Sequence, residues 1–249
     1  MAERTLQKRI RIFAGPNGSG KSTLYHKIKE EFNLRFGYYL NADELHEQLI
    51  KNGFIDLEKF ELKTDLGSIK SYFFKSGWDK YVKERDYTGK MKISGNIISI
   101  QKSKIQSYDS AILADYIRYK FIEAGLTFTF ETVMSHPSKI EFISKAAGSG
   151  YKIYLYFIST DDFSINQNRV KLRVKKGGHN VSAAKVRSRY YNTMLQLKAA
   201  SLLCYRTYVF DNSTDLELIL SINPKKEITF QKNVIPAWVN EYLINKKAQ

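Results

Sequence analysis

Apolar and polar positions along the chain change period several times, and the changes mark out its elements. Residues 9–14 (Arg-Ile-Arg-Ile-Phe-Ala) form a short, mostly apolar run that stops at a glycine-rich stretch, 15–20. That pattern predicts a strand running into a loop. Over 21–32 the residues Leu24, Ile28 and Phe32 fall on one stripe at helical spacing. Residues 37–40 (Gly-Tyr-Tyr-Leu) read as a second short strand. Further on, 111–124 reads as a helix and 127–132 as an apolar strand ending in Glu131-Thr132. A helix over 137–147 starts at Pro137, and a strand follows over 151–158. Helices over 161–174 and 182–203 flank Gly177-Gly178. A last strand, 205–210, turns at Asp211-Asn212-Ser213, and a hairpin over 216–230 precedes a short helix over 236–244. Strands alternating with helices predict an α/β protein with a mostly parallel central sheet and helices on both faces.

The segment 54–108 breaks that rhythm. It mixes Lys, Tyr and Phe with acidic residues, and 91–100 reads as a hairpin around Ser94-Gly95-Asn96. The expected organisation is a core made of 1–53 and 109–249, with 54–108 as an insertion after the second strand that reads a substrate or a partner. Of 249 residues, 43% are hydrophobic and 14% aromatic, enough for a sizeable core. Lys plus Arg is 40 against 25 for Asp plus Glu, a net charge of +15 that suits an anionic partner without saying which. Cys204 is the only cysteine, so neither an internal disulfide nor a Cys-rich zinc site can form. His26, His46, His136 and His179 lie far apart, without metal-ligand spacing. The N-terminal residues have no apolar stretch of the signal-peptide kind, and no apolar run is long enough to span a bilayer. The expectation is a soluble cytoplasmic protein without membrane contact.

The chemistry centres on Gly15-Pro16-Asn17-Gly18-Ser19-Gly20-Lys21-Ser22, a full match to the Walker A pattern G-x-x-x-x-G-K-[ST]. Its glycines let successive backbone N–H groups converge on one anion, and the following helix adds its positive dipole end. Lys21 can reach the β- and γ-phosphates, and the Ser22 hydroxyl can ligate Mg²⁺. Thr23 belongs to the same nucleotide-binding run. The plain alternative, a glycine-rich turn, does not explain a motif that follows a strand and opens an amphipathic helix.

Two signatures that would redirect the reading are missing. Leu62-Lys63-Thr64-Asp65 lacks the first residue of a guanine-reading motif, and Lys145-Ala-Ala-Gly-Ser-Gly150 is not a transporter signature. Asn41-Ala42-Asp43-Glu44 follows the second strand. Asn41 and Glu44 can cap the next helix, which leaves the carboxylate of Asp43 for accepting a proton from an attacking hydroxyl. Glu131 and Thr132, at a strand end, suit Mg²⁺, water or substrate, or else a helix cap. Residues 169–189 hold Arg169, Lys171, Arg173, Lys175, Lys176, Lys185, Arg187 and Arg189 with no acidic residue. Around Gly177-Gly178 this describes a basic lid over phosphates. A solvated basic face or a nucleic-acid patch is the alternative.

Taken in order, these stretches resemble the zeta-toxin-like kinases, and more closely the branch described as predicted ABC-type ATPases. The stretches are 14–23, Asn41-Ala-Asp-Glu44, Phe130-Glu-Thr132, Arg169-Val-x-x-Arg-Val-x-x-Gly-Gly-His-Asn-Val181, Arg189-Tyr190 and Asp211-Asn-Ser213. The resemblance implies a P-loop nucleotide-kinase-like fold with ATP (or GTP) as phosphate donor and Mg²⁺. It makes Lys21 the phosphate-loop lysine, Asp43 the catalytic base, and Asn41, Glu131 and Thr132 part of the substrate site. Arg169 or Arg173, with Arg187, falls on the donor's phosphates, and Asn212 near its base. Because characterised zeta toxins phosphorylate the 3′-hydroxyl of UDP-N-acetylglucosamine and are held inactive by an antitoxin, the resemblance implies a nucleotide-bearing acceptor of that kind and an antitoxin-like partner. The chain departs from the pattern at the long 54–108 segment and at Val181-Ser182, where the closer branch has Val-Pro.

Two other functions compete with a small-molecule kinase. One is a nucleic-acid-associated ATPase or polynucleotide kinase, permitted by the charge and by 17 tyrosines and 15 phenylalanines. The other is a nucleotide-gated protein whose partner docks on Phe73, Phe74, Trp78 and Tyr81, unless those aromatics pack the insertion onto the core.

Overall fold

The structure is a computed structural model and describes residues 7–76, 87–177 and 181–245. Trp78 and Tyr81 of the insertion, and Gly178 and His179 of the basic segment, lie outside the described residues. The chain forms two compact units. One comprises the residues up to Gly37 together with those from Thr127 onward; the other is Tyr38–Leu126.

The first unit is built on strands β1 (Arg9–Ala14), β6 (Phe128–Thr132), β7 (Lys152–Ser159), β8 (Arg206–Asp211), β9 (Glu217–Ile222) and β10 (Ile228–Phe230). They run in the order β10-β9-β8-β7-β1-β6. β6, β1, β7 and β8 are parallel neighbours, while β8, β9 and β10 pair antiparallel. Strands of a parallel sheet are covered on both faces, so they read as apolar runs rather than alternations. Ile10, Ile12, Phe13 and Ala14 of β1 are accordingly buried, as are Ile153, Leu155 and Phe157 of β7. Arg11 breaks the run without standing free. Its guanidinium donates to the Arg35 carbonyl and lies 5.2 Å from the Phe36 ring and 5.6 Å from the Tyr154 ring.

The longer helices of this unit are α1 (Lys21–Glu31), α5 (Ser138–Gly148), α6 (Phe163–Lys175) and α7 (Ala183–Leu203), and the short helix expected over 236–244 is present as Ala237–Val239 running into Asn240–Ile244. α1 packs on β1, and α5 and α7 on β7. α6 and α7 pair through Val170, Val181 and Val186, with Val174 against them. The helix expected from Pro137 begins one residue later, at Ser138, with Pro137 as its N-cap. Ser182 caps α7 by accepting from the Lys185 amide at 3.4 Å, a task proline cannot perform.

The second unit contains β2 (Tyr38–Leu40), α2 (Ala42–Asn52), α3 (Leu66–Lys75), α4 (Ser107–Glu123) and a small antiparallel sheet. That sheet, in the order β3-β5-β4, joins β3 (Phe54–Asp56) to the hairpin β4 (Met91–Ser94) and β5 (Ile97–Ile100). The hairpin lies where the sequence pattern put it; β3 and α3 were not foreseen. α2 packs on α4. Aromatic contacts fill the unit: Tyr38 stacks on Phe121 at 5.5 Å, and Phe60 meets Phe121 edge-on at 5.5 Å. Phe73 is buried here, whereas Phe74 is 75% exposed. Asp109 caps the start of α4 by accepting from the Gln106 amide at 2.7 Å, and both its oxygens lie 2.9 Å from Lys90 Nζ.

Candidate active site

The loop between β1 and α1 has the shape its sequence requires. Gly15 has φ 156°, and a β-carbon there would stand 2.0 Å from the Ile158 carbonyl oxygen. Gly18, at φ 79°, lies so close to α6 that a β-carbon would meet the Asn166 carbonyl oxygen at 2.6 Å. Only glycine fits either position. α1 opens behind Gly20 with no side-chain cap and no acidic residue in its first turn. First-turn amides of a helix have no partner within it and attract anions.

Inside the loop, Lys21 Nζ donates to the carbonyls of Gly15 at 3.0 Å and Pro16 at 2.9 Å. Its ammonium is held against the loop it is expected to serve. Ser19 Oγ and Asn17 Oδ1 are buried with no hydrogen-bond partner among the described residues. The Ser19 hydroxyl, a donor beside bare helix amides, fits a bound phosphate chain, which supplies acceptor oxygens; Asn17 Oδ1 is itself an acceptor and adds nothing to that fit. Ser22 Oγ donates to Glu131 Oε2 at 2.9 Å. The parallel register explains that pair: Phe13 lies opposite Glu131 and Ala14 opposite Thr132, so β6 ends beside the loop that leaves β1. A hydroxyl on a carboxylate, both oxygen donors, matches what Mg²⁺ prefers.

Thr132 Oγ1 accepts from the Met134 amide at 3.1 Å, and Met134 is buried in a left-handed conformation, φ 56°. The Thr193 hydroxyl of α7 lies 2.7 Å from the Val133 carbonyl and so holds the same turn.

Asn212, just past β8, donates from Nδ2 to the Ser19 carbonyl at 2.8 Å. Arg169 of α6 donates to the Asn212 carbonyl at 2.8 Å and reaches the Ser213 carbonyl at 3.5 Å. Arg169 therefore borders the phosphate loop through Asn212. Arg187 stands over the Phe163 ring, 5.1 Å from its centroid. Arg173 is half-buried on α6. Asp211, at the end of β8, accepts from Trp238 Nε1 at 2.8 Å and, through its other oxygen, from the Ser213 amide at 2.8 Å.

In the second unit Asn41 caps α2: its Oδ1 accepts from the Asp43 amide at 2.9 Å. The side chain of Asp43 is exposed in the first turn of that helix. Capping engages the side chain of Asn41 and only the backbone of Asp43.

Asn166 was not singled out by the sequence. It is fully buried and donates from Nδ2 to the Asn17 carbonyl at 2.8 Å. The signal for it was an amide on the apolar face of a helix, four residues before the core residue Val170.

A glycine-rich loop between strand and helix, at the carboxyl edge of a parallel sheet, defines a P-loop α/β protein. No family model matches the chain. An uncharacterized protein of Haemophilus influenzae is 29% identical over 93 residues, which are 37% of this chain and 66% of that protein. A chain of the AvrRxo1-ORF1:AvrRxo1-ORF2 complex with ATP is similar at a TM-score of 0.56 and 13% identity, over 91% of this chain and 61% of that one. The same complex with sulphate ions gives 0.55 and 15%, over 98% and 66%. The chain thus spans about two thirds or less of the length of these proteins. A chain from the PezAT toxin–antitoxin system of Streptococcus pneumoniae has a TM-score of 0.47 at 12% identity, over 98% of this chain and 82% of that one, too distant to argue from. The likeness to the AvrRxo1 complex shows a shared α/β fold built on a mostly parallel sheet.

Proposed function

We propose that the protein is an ATP- and Mg²⁺-dependent phosphotransferase acting on a hydroxyl of a small nucleotide-bearing metabolite, with UDP-N-acetylglucosamine the first candidate. The observation that carries this is the phosphate loop with the Ser22–Glu131 pair at its edge, 2.9 Å between oxygens. The AvrRxo1 complex with ATP supports a nucleotide in this fold. The acceptor class rests on the resemblance of the motifs.

In this reading the amides of Gly18 and Gly20 and the ammonium of Lys21 bind the β- and γ-phosphates. Ser22 would hold Mg²⁺ with Glu131 behind it, and the ion would neutralise charge on those phosphate oxygens. Asp43 takes the proton of the acceptor hydroxyl. That oxygen forms the new bond to the γ-phosphorus, and the bond to the β-phosphate oxygen breaks, releasing ADP. Arg169 or Arg173, with Arg187, stabilises charge on the moving group, while Asn41, Glu131 and Thr132 position the acceptor. A protein partner that holds the enzyme inactive belongs to the same proposal. Its support is that AvrRxo1-ORF1 was solved together with a second protein.

The test is to incubate the purified protein with ATP, Mg²⁺ and a metabolite mixture containing UDP-N-acetylglucosamine, beside an Asp43→Ala control, and to read masses. One metabolite is expected to gain a phosphate, and the gain to disappear in the mutant. ATP hydrolysis without any phosphorylated acceptor, equal in both proteins, would refute the phosphotransferase.

A further inference from the structure

The phosphate loop is gripped from outside by two asparagine side chains, and one of them is backed by a buried polar chain running to α7. Asn166 Nδ2 donates to the Asn17 carbonyl at 2.8 Å, and Asn212 Nδ2 donates to the Ser19 carbonyl at 2.8 Å. The Thr160 hydroxyl is directed at Asn166 Oδ1, which leaves Nδ2 as the donor toward the loop. Tyr190 of α7 donates its phenol to the Thr160 carbonyl at 2.6 Å. Asn166 and Thr160 are fully buried, and Tyr190 is 3% exposed.

A trans peptide unit carries its C=O and N–H on opposite sides. Tethering the carbonyls of Asn17 and Ser19 therefore also sets where the amides of Gly18 and Gly20 point. Both glycines have positive φ, so their own backbone preferences leave that orientation loose. Burial makes the tether selective, because an amide that loses its partner there has no water to replace it.

We propose that Asn166, backed by Thr160 and Tyr190, is a positioning residue. It holds the phosphate loop in its anion-receiving shape and ties that shape to the α6–α7 pair carrying Arg169 and Arg187. The part concerning nucleotide rests on the phosphotransferase reading; the part concerning the loop does not.

The test uses the full chain, as wild type, Asn166→Leu and Tyr190→Phe. Leucine keeps the volume of Asn166 without its donor, and phenylalanine keeps the ring of Tyr190. Hydrogen exchange of the peptide covering residues 15–20 is read by mass spectrometry. It is expected to quicken about tenfold in Asn166→Leu and less in Tyr190→Phe, the scale of one lost hydrogen bond, with β1 and β7 unchanged. Calorimetric affinity for ATP should fall about tenfold in Asn166→Leu while that for adenosine holds, a split that general loss of stability does not produce.

Wild-type exchange of the loop in both variants would overturn the proposal. So would equal losses of ATP and adenosine affinity. If Asn166→Leu loses protection throughout the chain, the loop peptide of Tyr190→Phe decides. A wild-type chain that binds no ATP sinks the phosphotransferase reading, while the exchange result still decides the positioning role.

Discussion

Lys21 shows at the scale of one residue how a phosphate loop keeps its cation. The ammonium satisfies itself on the carbonyls of Gly15 and Pro16, 3.0 and 2.9 Å away, so the charge stays in place by local bonds. Replacing it removes a group aimed at charge and leaves the core alone. Lys21→Ala is expected to lower ATP turnover at least about a hundredfold and to leave the melting temperature near wild type. Undiminished turnover would refute the role. Lys21 and Ser22 were legible in the sequence because the motif's spacing is itself the geometry. Asn166 was not, because an asparagine inside a helix carries no sign of a carbonyl 149 positions away.

At the scale of an element, α6 is governed by two adjacent aspartates that behave oppositely. Asp162 caps the helix: its Oδ1 accepts from the Ser164 amide at 2.7 Å, and that hydroxyl and amide hold its pKa below the usual value. Asp161 is pushed up by desolvation and then by the charge of Asp211. The signs follow. The stabilisation from Asp162 is present above the ordinary carboxylate pKa of 3.8 and is lost as pH falls through its lowered folded value. Asp161 weakens the folded state as pH rises from that value through its raised one. Asp162→Ala should therefore cost about 1 kcal/mol near pH 7 and much less near about pH 2. Asp161→Asn should raise the melting temperature near pH 7 and leave it unchanged near about pH 3. Thermal melts across pH check both, and an Asp161→Asn gain that persists in acid would show the charge is not the cause. The helix α6 itself was legible from the sequence. Asp161 is raised first by desolvation and then by Asp211 of β8, which sequence spacing does not place beside it.

Across the whole molecule the net charge of +15 acts at long range and without regard to the site. Weak, sequence-independent retention of a labelled oligonucleotide is expected at low salt, and it should fall steeply as salt is raised. Retention that survives high salt and prefers one sequence would favour the nucleic-acid function instead. Short-range pattern sufficed for much of the architecture. Periodicity located β1, α1, β6, β7 and the α6–α7 pair to within a few residues, because burial on one stripe or on both faces leaves its mark every two to four positions. It missed β3 and α3 in a segment where charged and aromatic residues interleave. The sequence by itself determined where the strand, the glycine loop and the helix start that make an anion site fall, since the pattern that marks them lies within a few consecutive residues. Tertiary structure decided what surrounds that site. The pairs Ser22–Glu131 and Asn212–Ser19 join positions 109 and 193 apart, and they meet because the parallel register brings the carboxyl ends of β1, β6 and β8 to one edge.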